Sequence, residues 1–559
     1  MPATHFRGLH KTRLLVRGTS FTCGIMWHLL LAVVVLAIAH WWSQRRRHFE
    51  YFKNLGIPGP EPSIFFGNMI ELYQKTPLVA HREWIAKYGK TVGFFNGYRP
   101  ILLIADVELM KMIQIKDFQD FIDRALLFQH NRPQGPVRKS LIQLQGKRWK
   151  EVRSVLTPSF TSRKLKFMSA GMVEKIEEMV KKVDAFAQRG EEFEASDMYQ
   201  ALTLDVISRS AMGIDQNIQQ NPQNSFLASS RTLFSGSFSA PIILHASFPG
   251  LEFLLRFLVH WRLTRLNNGV NPFMEVIEKC KRIVQLRQQD ATLHEKDLLQ
   301  LMIDAKLSKV DFRNVTSEQL TAGDEAEAHE LKQSTVTEGL TSSKAELDDD
   351  DITQNAFLVV VAGFETTSNS LTLITHMLVN YPEVQEKVRE ELFSLIGSEG
   401  EIDYTTTQKL TYLNCVISEC LRIYPPVFSF TTREAVVDKQ YGKLRIPTGT
   451  AVMISMDSVH RDPTVWQDPL KFDPDRFLPE NKSKISPVAW QPFGAGPRNC
   501  IGMRFAQMEL RFAVAKLLSK YRLVATERTE KDPPEIEMNP LVLRIKNGVH
   551  IKAVPLETA

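Results

Sequence analysis

The sequence predicts a mainly α-helical α+β fold with small β-sheets, preceded by one N-terminal transmembrane helix. Three observations lead there. Long apolar patterns with helical period run over Lys164–Arg189, Asn271–Gln289 and Asp351–Val379. Strand-like runs are short and few, at Thr91–Asp106, Leu444–Ile454 and Val542–Val554, and do not alternate with helices as a parallel sheet requires. Cys23–Trp42 holds no Lys, Arg, Asp or Glu, and as a helix rising ~1.5 Å per residue it spans about 30 Å of hydrocarbon.

Residues 1–22 form a basic extension and 23–42 the anchor. Trp41 and Trp42 stand where an interfacial aromatic belt belongs, and Arg45, Arg46 and Arg47 follow as a stop-transfer cluster. Residues 43–62 read as a basic and then Pro-rich linker, because Pro58, Pro60 and Pro62 fix φ and restrain their predecessors. Residues 63–559 form the globular body. Four basic residues on each side of the span leave its orientation tied, and a start at Met26 would place the body in the cytosol. Two rival readings are a cleaved signal peptide, from Ala37 and Ala39, and a mitochondrial presequence, from Arg7, Lys11, Arg13 and Arg17.

Composition narrows the class. With 559 residues, 43% hydrophobic and 24% charged, and 28 each of Gly and Pro, the chain is not disordered, collagenous or of low complexity. Five scattered cysteines without a C-x-x-C pair argue against a disulfide framework or zinc site. The net charge of +6 is uneven. Basic residues gather before residue 54, and Asp324–Asp351 is strongly acidic, within a polar stretch at about 308–351 that reads as an exposed loop. The mildly basic body carries no RNP, zinc-finger or basic-zipper pattern, so no nucleic-acid partner is expected.

Phe493-Gly494-Ala495-Gly496-Pro497-Arg498-Asn499-Cys500-Ile501-Gly502 runs into a helical pattern. Cys500 therefore precedes a helix, where unpaired N–H groups and the dipole favour thiolate over thiol. Gly496 and Gly502 let the backbone turn sharply and approach a flat ligand. Cys280, Cys415 and Cys420 read as inert packing. The spacing F-x-x-G-x-R-x-C-x-G resembles, at every named position, the haem-binding signature of the cytochrome P-450 family. That resemblance implies that Cys500 ligates the iron of haem b (iron protoporphyrin IX), that Arg498 holds a propionate and that Phe493 shields the sulfur.

Other motifs agree with it. Glu419 and Arg422, alone an ordinary i, i+3 pair, stand about fifty residues ahead of Phe472-Asp473-Pro474-Asp475-Arg476-Phe477, as in the family's E-x-x-R and P-x-R-F network. The resemblance implies that Glu419, Arg422 and Arg476 form a structural core behind the cysteine loop. Trp149 and Arg153 resemble the W-x-x-x-R propionate helix, and Arg433 a further propionate contact. Ala362-Gly363-Phe364-Glu365-Thr366-Thr367 sits inside a helix apolar almost all round, where an acid and a hydroxyl are expensive. It resembles the A-G-x-[DE]-T-[TS] motif of the monooxygenases. By that likeness Ala362 and Gly363 leave room for oxygen, while Glu365 and Thr366 organise water and deliver protons.

The resemblance covers nearly the whole chain from about Leu55. Segments such as Asn131-Arg132-Pro133 and Leu156-Thr157-Pro158-Ser159-Phe160-Thr161 look like the animal microsomal group holding the family 3 drug-metabolising enzymes and thromboxane synthase. It implies a monooxygenase of the endoplasmic reticulum membrane, single-pass with a cytosolic body, acting on lipophilic xenobiotic, steroid or fatty-acid-like molecules. No dinucleotide fingerprint follows a strand, so electrons from NADPH come through a separate NADPH-cytochrome P-450 reductase, with cytochrome b5 as a second candidate donor. Lys147, Arg148 and Lys150 are candidates for docking it. A reductase-independent isomerase of the thromboxane synthase type is one alternative and a silent haem or ligand carrier another. The resemblance also places Phe128–Val137, Phe226–Phe257, Phe357, Val361, Ala362 and Val427–Thr431 around the substrate pocket. Phe234, Phe238, Phe248, Phe253 and Phe257 suggest a second membrane contact.

Overall fold

Helix α1 (Thr12–Phe49) runs unbroken through the anchor, and every side chain from Met26 to His40 is exposed. The computed structural model describes residues 12–125, 135, 137–234, 240–290, 297–307, 347–397, 400–428, 431–539 and 542–556. A helix apolar all round and uncovered by protein belongs in hydrocarbon, and Met26–Phe49 is long and apolar enough to cross it. A second helix passes the same test by length and composition but is mostly buried in the body.

The stretch 43–62 is packed rather than extended clear of the body. Arg45, Phe52 and Ile57 are buried, Tyr51 Oη lies 2.6 Å from Thr450 Oγ1, and Gly93 donates its N–H to Pro58 O at 2.9 Å. The reason is the apolar content of Phe49–Ile57, which joins the core under the first sheet. That sheet pairs β1 (Thr91–Asn96) with β2 (Arg99–Ile104) as a hairpin. β2 then runs parallel to β4 (Ala451–Ile454), which is antiparallel to β3 (Thr432–Glu434). A second sheet of three strands joins Phe193–Glu194, Tyr521–Ala525 and His550–Pro555.

The body's main core is helical. α2 (Gly146–Leu156) leads to α3 (Ser162–Arg189), which buries Leu165, Met168, Met172, Ile176, Met179 and Val183 on one face and stops at Gly190 in the left-handed region. α4 (Ala195–Met212) is started by the Glu194 carboxylate, which accepts the N–H groups of Ser196 and Asp197. α5 (Ala240–Ser247) and α6 (Glu252–Leu266) form the outer flank, and α7 (Pro272–Gln289) returns to the core. α8 (Asp349–Asn380) crosses the whole body; Asp348 and Asp351 close a capping box at its start. Thus Asp348–Asp351, expected in the acidic loop, begin the central helix, and 308–346 lies outside the described residues. α9 (Thr411–Ile423), which carries Glu419 and Arg422, and α10 (Met503–Leu518), which follows the cysteine loop, pack beside α8.

Candidate active site

The cysteine loop is closed on itself, with the Cys500 N–H donating to Phe493 O at 2.8 Å. Gly494 and Gly496 have φ of 73° and 69°, which disfavours any side chain. At Gly496 a Cβ would also lie 2.2 Å from Gln114 O, so the loop presses on that backbone. Ala495–Asn499 are buried while Cys500 keeps solvent access. The protein still crowds the sulfur: burial pushes its thiol up, opposed by the Gly502 N–H, Arg153 and Arg124. The helix end expected to favour thiolate is outweighed by desolvation, and coordination to a metal cation is what would deprotonate such a thiol outright.

Three buried arginines, Arg153, Arg433 and Arg498, and the half-buried Arg124 meet around this loop. Arg498 donates to Ile122 O and Leu144 O, both at 2.9 Å, and its guanidinium lies 4.1 Å from the centre of the Trp149 ring. Trp149 is therefore the platform under Arg498. Arg153 donates to Asn499 Oδ1 at 2.9 Å, and Arg433 to Thr432 O at 2.8 Å. Arg433 Nε is buried without a hydrogen-bond partner among the described residues. Arg124 completes the group; burial lowers Arg124 and Arg153 to about 10 and Arg433 to about 9, and Arg124 repels both Arg433 and Arg498. The carboxylate of Asp123 stands 3.9 Å from Arg498. So much buried positive charge fits an anionic ligand, and the two propionates of a haem, with a thiol beside them, match this donor set. Sequence reasoning missed Arg124, which belongs to no motif identified above; its only signal is a charge beside Asp123, just before the apolar Ala125-Leu126-Leu127-Phe128 run.

Glu419, Arg422 and Arg476 come together. Glu419 accepts two bonds from Arg422, at 2.7 and 2.8 Å, and one from Arg476 at 3.3 Å, and the first two side chains are fully buried. Arg422 also donates to His460 O at 2.6 Å. His460 returns a bond from Nδ1 to Arg422 O and accepts the Gln491 N–H on Nε2, at 3.0 and 3.1 Å. Burial holds this imidazole neutral, down to about 3. The network therefore reaches the backbone two residues ahead of Phe493.

On α8 the Thr366 hydroxyl donates to Ala362 O at 2.6 Å, the i−4 bond expected of a mid-helix threonine. Ala362 is exposed, although most of the helix is buried, so this face borders accessible space. At Gly363 a Cβ would meet Ile207 Cδ1 at 3.0 Å, so its missing side chain lets α4 pack closely on α8. Glu365 is buried and accepts from Asn369 Nδ2 at 3.2 Å and Gln200 Nε2 at 3.3 Å. Burial raises its carboxyl, while Asn369, Arg544, Arg231 and Gln200 pull it down. Gln200 Oε1 accepts from Arg231, which also pairs with Asp197 at the surface, each at 2.7 Å.

Phe357, expected at the pocket, is buried with its ring 6.1 Å from Phe273, because its side of α8 faces α7. Val361 keeps partial access. Phe253 and Phe257 are exposed, whereas Phe234 and Phe248 are partly covered. Phe238, residues 128–134 and 136, and residues 429–430 lie outside the described residues.

The comparisons with known proteins agree with this arrangement. The family model for cytochrome P-450 matches residues 57–552. Cytochrome P-450 3A56 of Fundulus heteroclitus is 31% identical over 531 residues, 95% of this chain and 98% of its own. Cytochrome P-450 3A6 of Oryctolagus cuniculus is 32% identical over 509 residues, 90% and 92% of the two chains. Thromboxane-A synthase of Sus scrofa is 31% identical over 542 residues, 95% and 98%. With matches of that extent on either side of Cys500, the chain belongs to the cytochrome P-450 family of haem-thiolate enzymes.

Proposed function

We propose that the protein is a membrane-bound monooxygenase that inserts one oxygen atom of O2 into lipophilic small molecules. NADPH supplies the electrons through a separate cytochrome P-450 reductase, with cytochrome b5 as a further donor. The body lies on the cytosolic side of the endoplasmic reticulum membrane, held by the single span α1. The observation that carries the reading is Cys500 on its closed loop beside four arginines, three of them buried.

In this reading haem b, when bound, supplies the binding and cleavage of O2. Cys500 holds its iron, and Arg124, Arg153, Arg433 and Arg498 neutralise its propionates, with Trp149 bracing Arg498. Phe493 shields the sulfur. The Glu419–Arg422–Arg476 network, through His460, holds the loop that presents Cys500. Ala362 leaves the helix face open, and the Thr366 hydroxyl lies one turn on, bonded to Ala362 O. Glu365, kept protonatable by burial and oriented by Gln200 and Asn369, holds a proton near that face; Thr366 passes it on. Apolar side chains exclude water and hold the substrate by desolvation.

The thromboxane-A synthases are as similar as the monooxygenases, at 31% identity, so a reductase-independent peroxide isomerase is the second reading. Retention of Glu365 and Thr366 favours the first, because rearrangement of a peroxide needs no delivered protons. Reconstituted protein separates the two: turnover that demands NADPH and reductase supports the monooxygenase, and conversion of an organic peroxide without them the isomerase. Cys500→Ser removes the red-shifted carbon-monoxide band of the reduced protein, since a hydroxyl cannot replace a soft anionic donor. A retained band would refute the ligand assignment.

A further inference from the structure

Of the three arginines that follow the apolar stretch of α1, two are exposed and one is not. Arg45 turns inward and is buried. Its Nε donates to Ile64 O at 2.6 Å, Nη2 to Phe65 O at 2.9 Å, and both terminal nitrogens to Ser247 O at 3.0 Å. The rings of Trp41, Phe49, Tyr98 and Phe248 surround the guanidinium, each with its centroid 5.1 to 5.3 Å away. These acceptors are main-chain carbonyls from two distant parts of the chain, and only a planar fork of donors reaches them together.

The segment that receives Arg45 is held from a second side. Tyr98, in the β1–β2 turn, donates its N–H to Ala246 O at 2.8 Å. Gly97, at φ 67°, lies so close that a Cβ there would sit 2.2 Å from the same oxygen. His48 of α1 stacks on Tyr98 at 3.8 Å and 6°. The end of α5 is thus clamped between the base of the anchor and the first sheet. α6 follows within a few residues and exposes Leu251 just before it, then Phe253, Leu254, Phe257 and Trp261. Arg256, Arg262 and Arg265 are interleaved with them against the single acid Glu252, the composition of a helix that lies in an interface.

We propose that Arg45 is a clasp that joins α1 and α6 into one lipid-facing surface, whose partner is the bilayer that α1 spans. It rests on the membrane-anchored reading and adds a fixed geometry to it. Because α1 enters the membrane and its base is fastened to Ser247, the apolar side chains of α6 are held beside the same bilayer. The anchor is then a rigid strut for the flank over the body, not a tether.

The test uses the full-length haem-loaded protein in phosphatidylcholine vesicles. A nitroxide is placed at Phe253→Cys in a Cys23→Ser background, and its depth is read by power-saturation electron paramagnetic resonance. With Arg45 intact the label shows oxygen-enhanced relaxation, as expected among acyl chains. In Arg45→Ala that enhancement is lost, while vesicle flotation and the reduced carbon-monoxide band persist. Arg45→Lys, a milder change to the fold, shows the same loss because one ammonium cannot bridge the separated carbonyls, and Arg46→Ala shows none. An unchanged label depth in floating Arg45→Ala or Arg45→Lys overturns the clasp alone. A parent protein that fails to float overturns the anchored reading and the clasp with it.

Discussion

Glu365 stands where a charge is most expensive, inside an apolar helix with two amides as its hydrogen-bond donors. Its carboxyl is raised by burial, so the folded state holds a proton that the unfolded chain releases earlier. Stability from this group is complete below the ordinary carboxylate range and is lost as pH rises through the raised folded value. Glu365→Gln, which mimics the protonated form, is expected to match the parent in Tm at low pH and to exceed it increasingly toward neutrality, as read by thermal melts across pH. A constant offset would contradict the raised carboxyl. Thr366→Ala is expected to keep consuming NADPH while forming less product and more hydrogen peroxide, and fully coupled turnover would defeat its role with protons. At Glu419 the penalty is structural. Glu419→Ala leaves Arg422 buried without its two-bond partner and is expected to cost about 3–5 kcal/mol, visible in denaturant unfolding. Arg476→Ala, which loses one longer bond to Glu419 and one to Asp468 O at a more exposed position, should cost clearly less.

Among the elements, α8 was the most legible from sequence and also holds the least legible contacts. Its span was expected at Asp351–Val379 and runs Asp349–Asn380, because helical periodicity and acidic capping residues are local signals. Asn355 carries no such signal, yet its Oδ1 accepts the Leu141 N–H at 2.8 Å across 214 residues, and its Nδ2 donates to Lys139 O at 3.2 Å. Gln354 accepts the Lys139 N–H. The segment so held supplies Leu144 O to Arg498, so the start of α8 helps to position an arginine of the site. The inward turn of Arg45, expected only as part of a stop-transfer cluster, and the place of Arg124 at the site escaped notice for the same reason: the partners of such an arginine are carbonyls and charges far off in the chain. The cysteine loop and the Glu419 network were readable because their meaning lies in short fixed spacings. Asn355→Ala is expected to cost about 1–3 kcal/mol, the penalty of orphaned buried amide partners, and to speed hydrogen exchange at 139–144 more than elsewhere. Uniform acceleration would show that the contact does not hold this segment in particular.

At the scale of the whole molecule, the proposed electron-donating partner is expected to be steered by charge to the cysteine side. The expected docking trio on α2 divides once its contacts are known. Arg148 is committed inward, paired with Glu151 at 3.1 Å and with the buried Asp351 that caps α8. Lys147 is half exposed, 3.9 Å from Glu151, while Lys150, partly buried and lowered by desolvation, donates to the neutral Gln119 at 2.7 Å and is not neutralised by that bond. A partner with an acidic face is steered by such charges over roughly a Debye length, ~10 Å at 0.1 M salt and ~30 Å at 0.01 M. Lys147→Glu with Lys150→Glu is therefore expected to slow reductase-supported turnover, most at low salt, while turnover driven by added peroxide stays near the parent value. Arg148→Glu should instead weaken both, because it puts a carboxylate against Asp351 and destabilises the start of α8. If the lysine pair lowers both assays equally, the charges serve folding or haem retention and docking lies elsewhere. If it lowers neither, the reductase does not approach over α2.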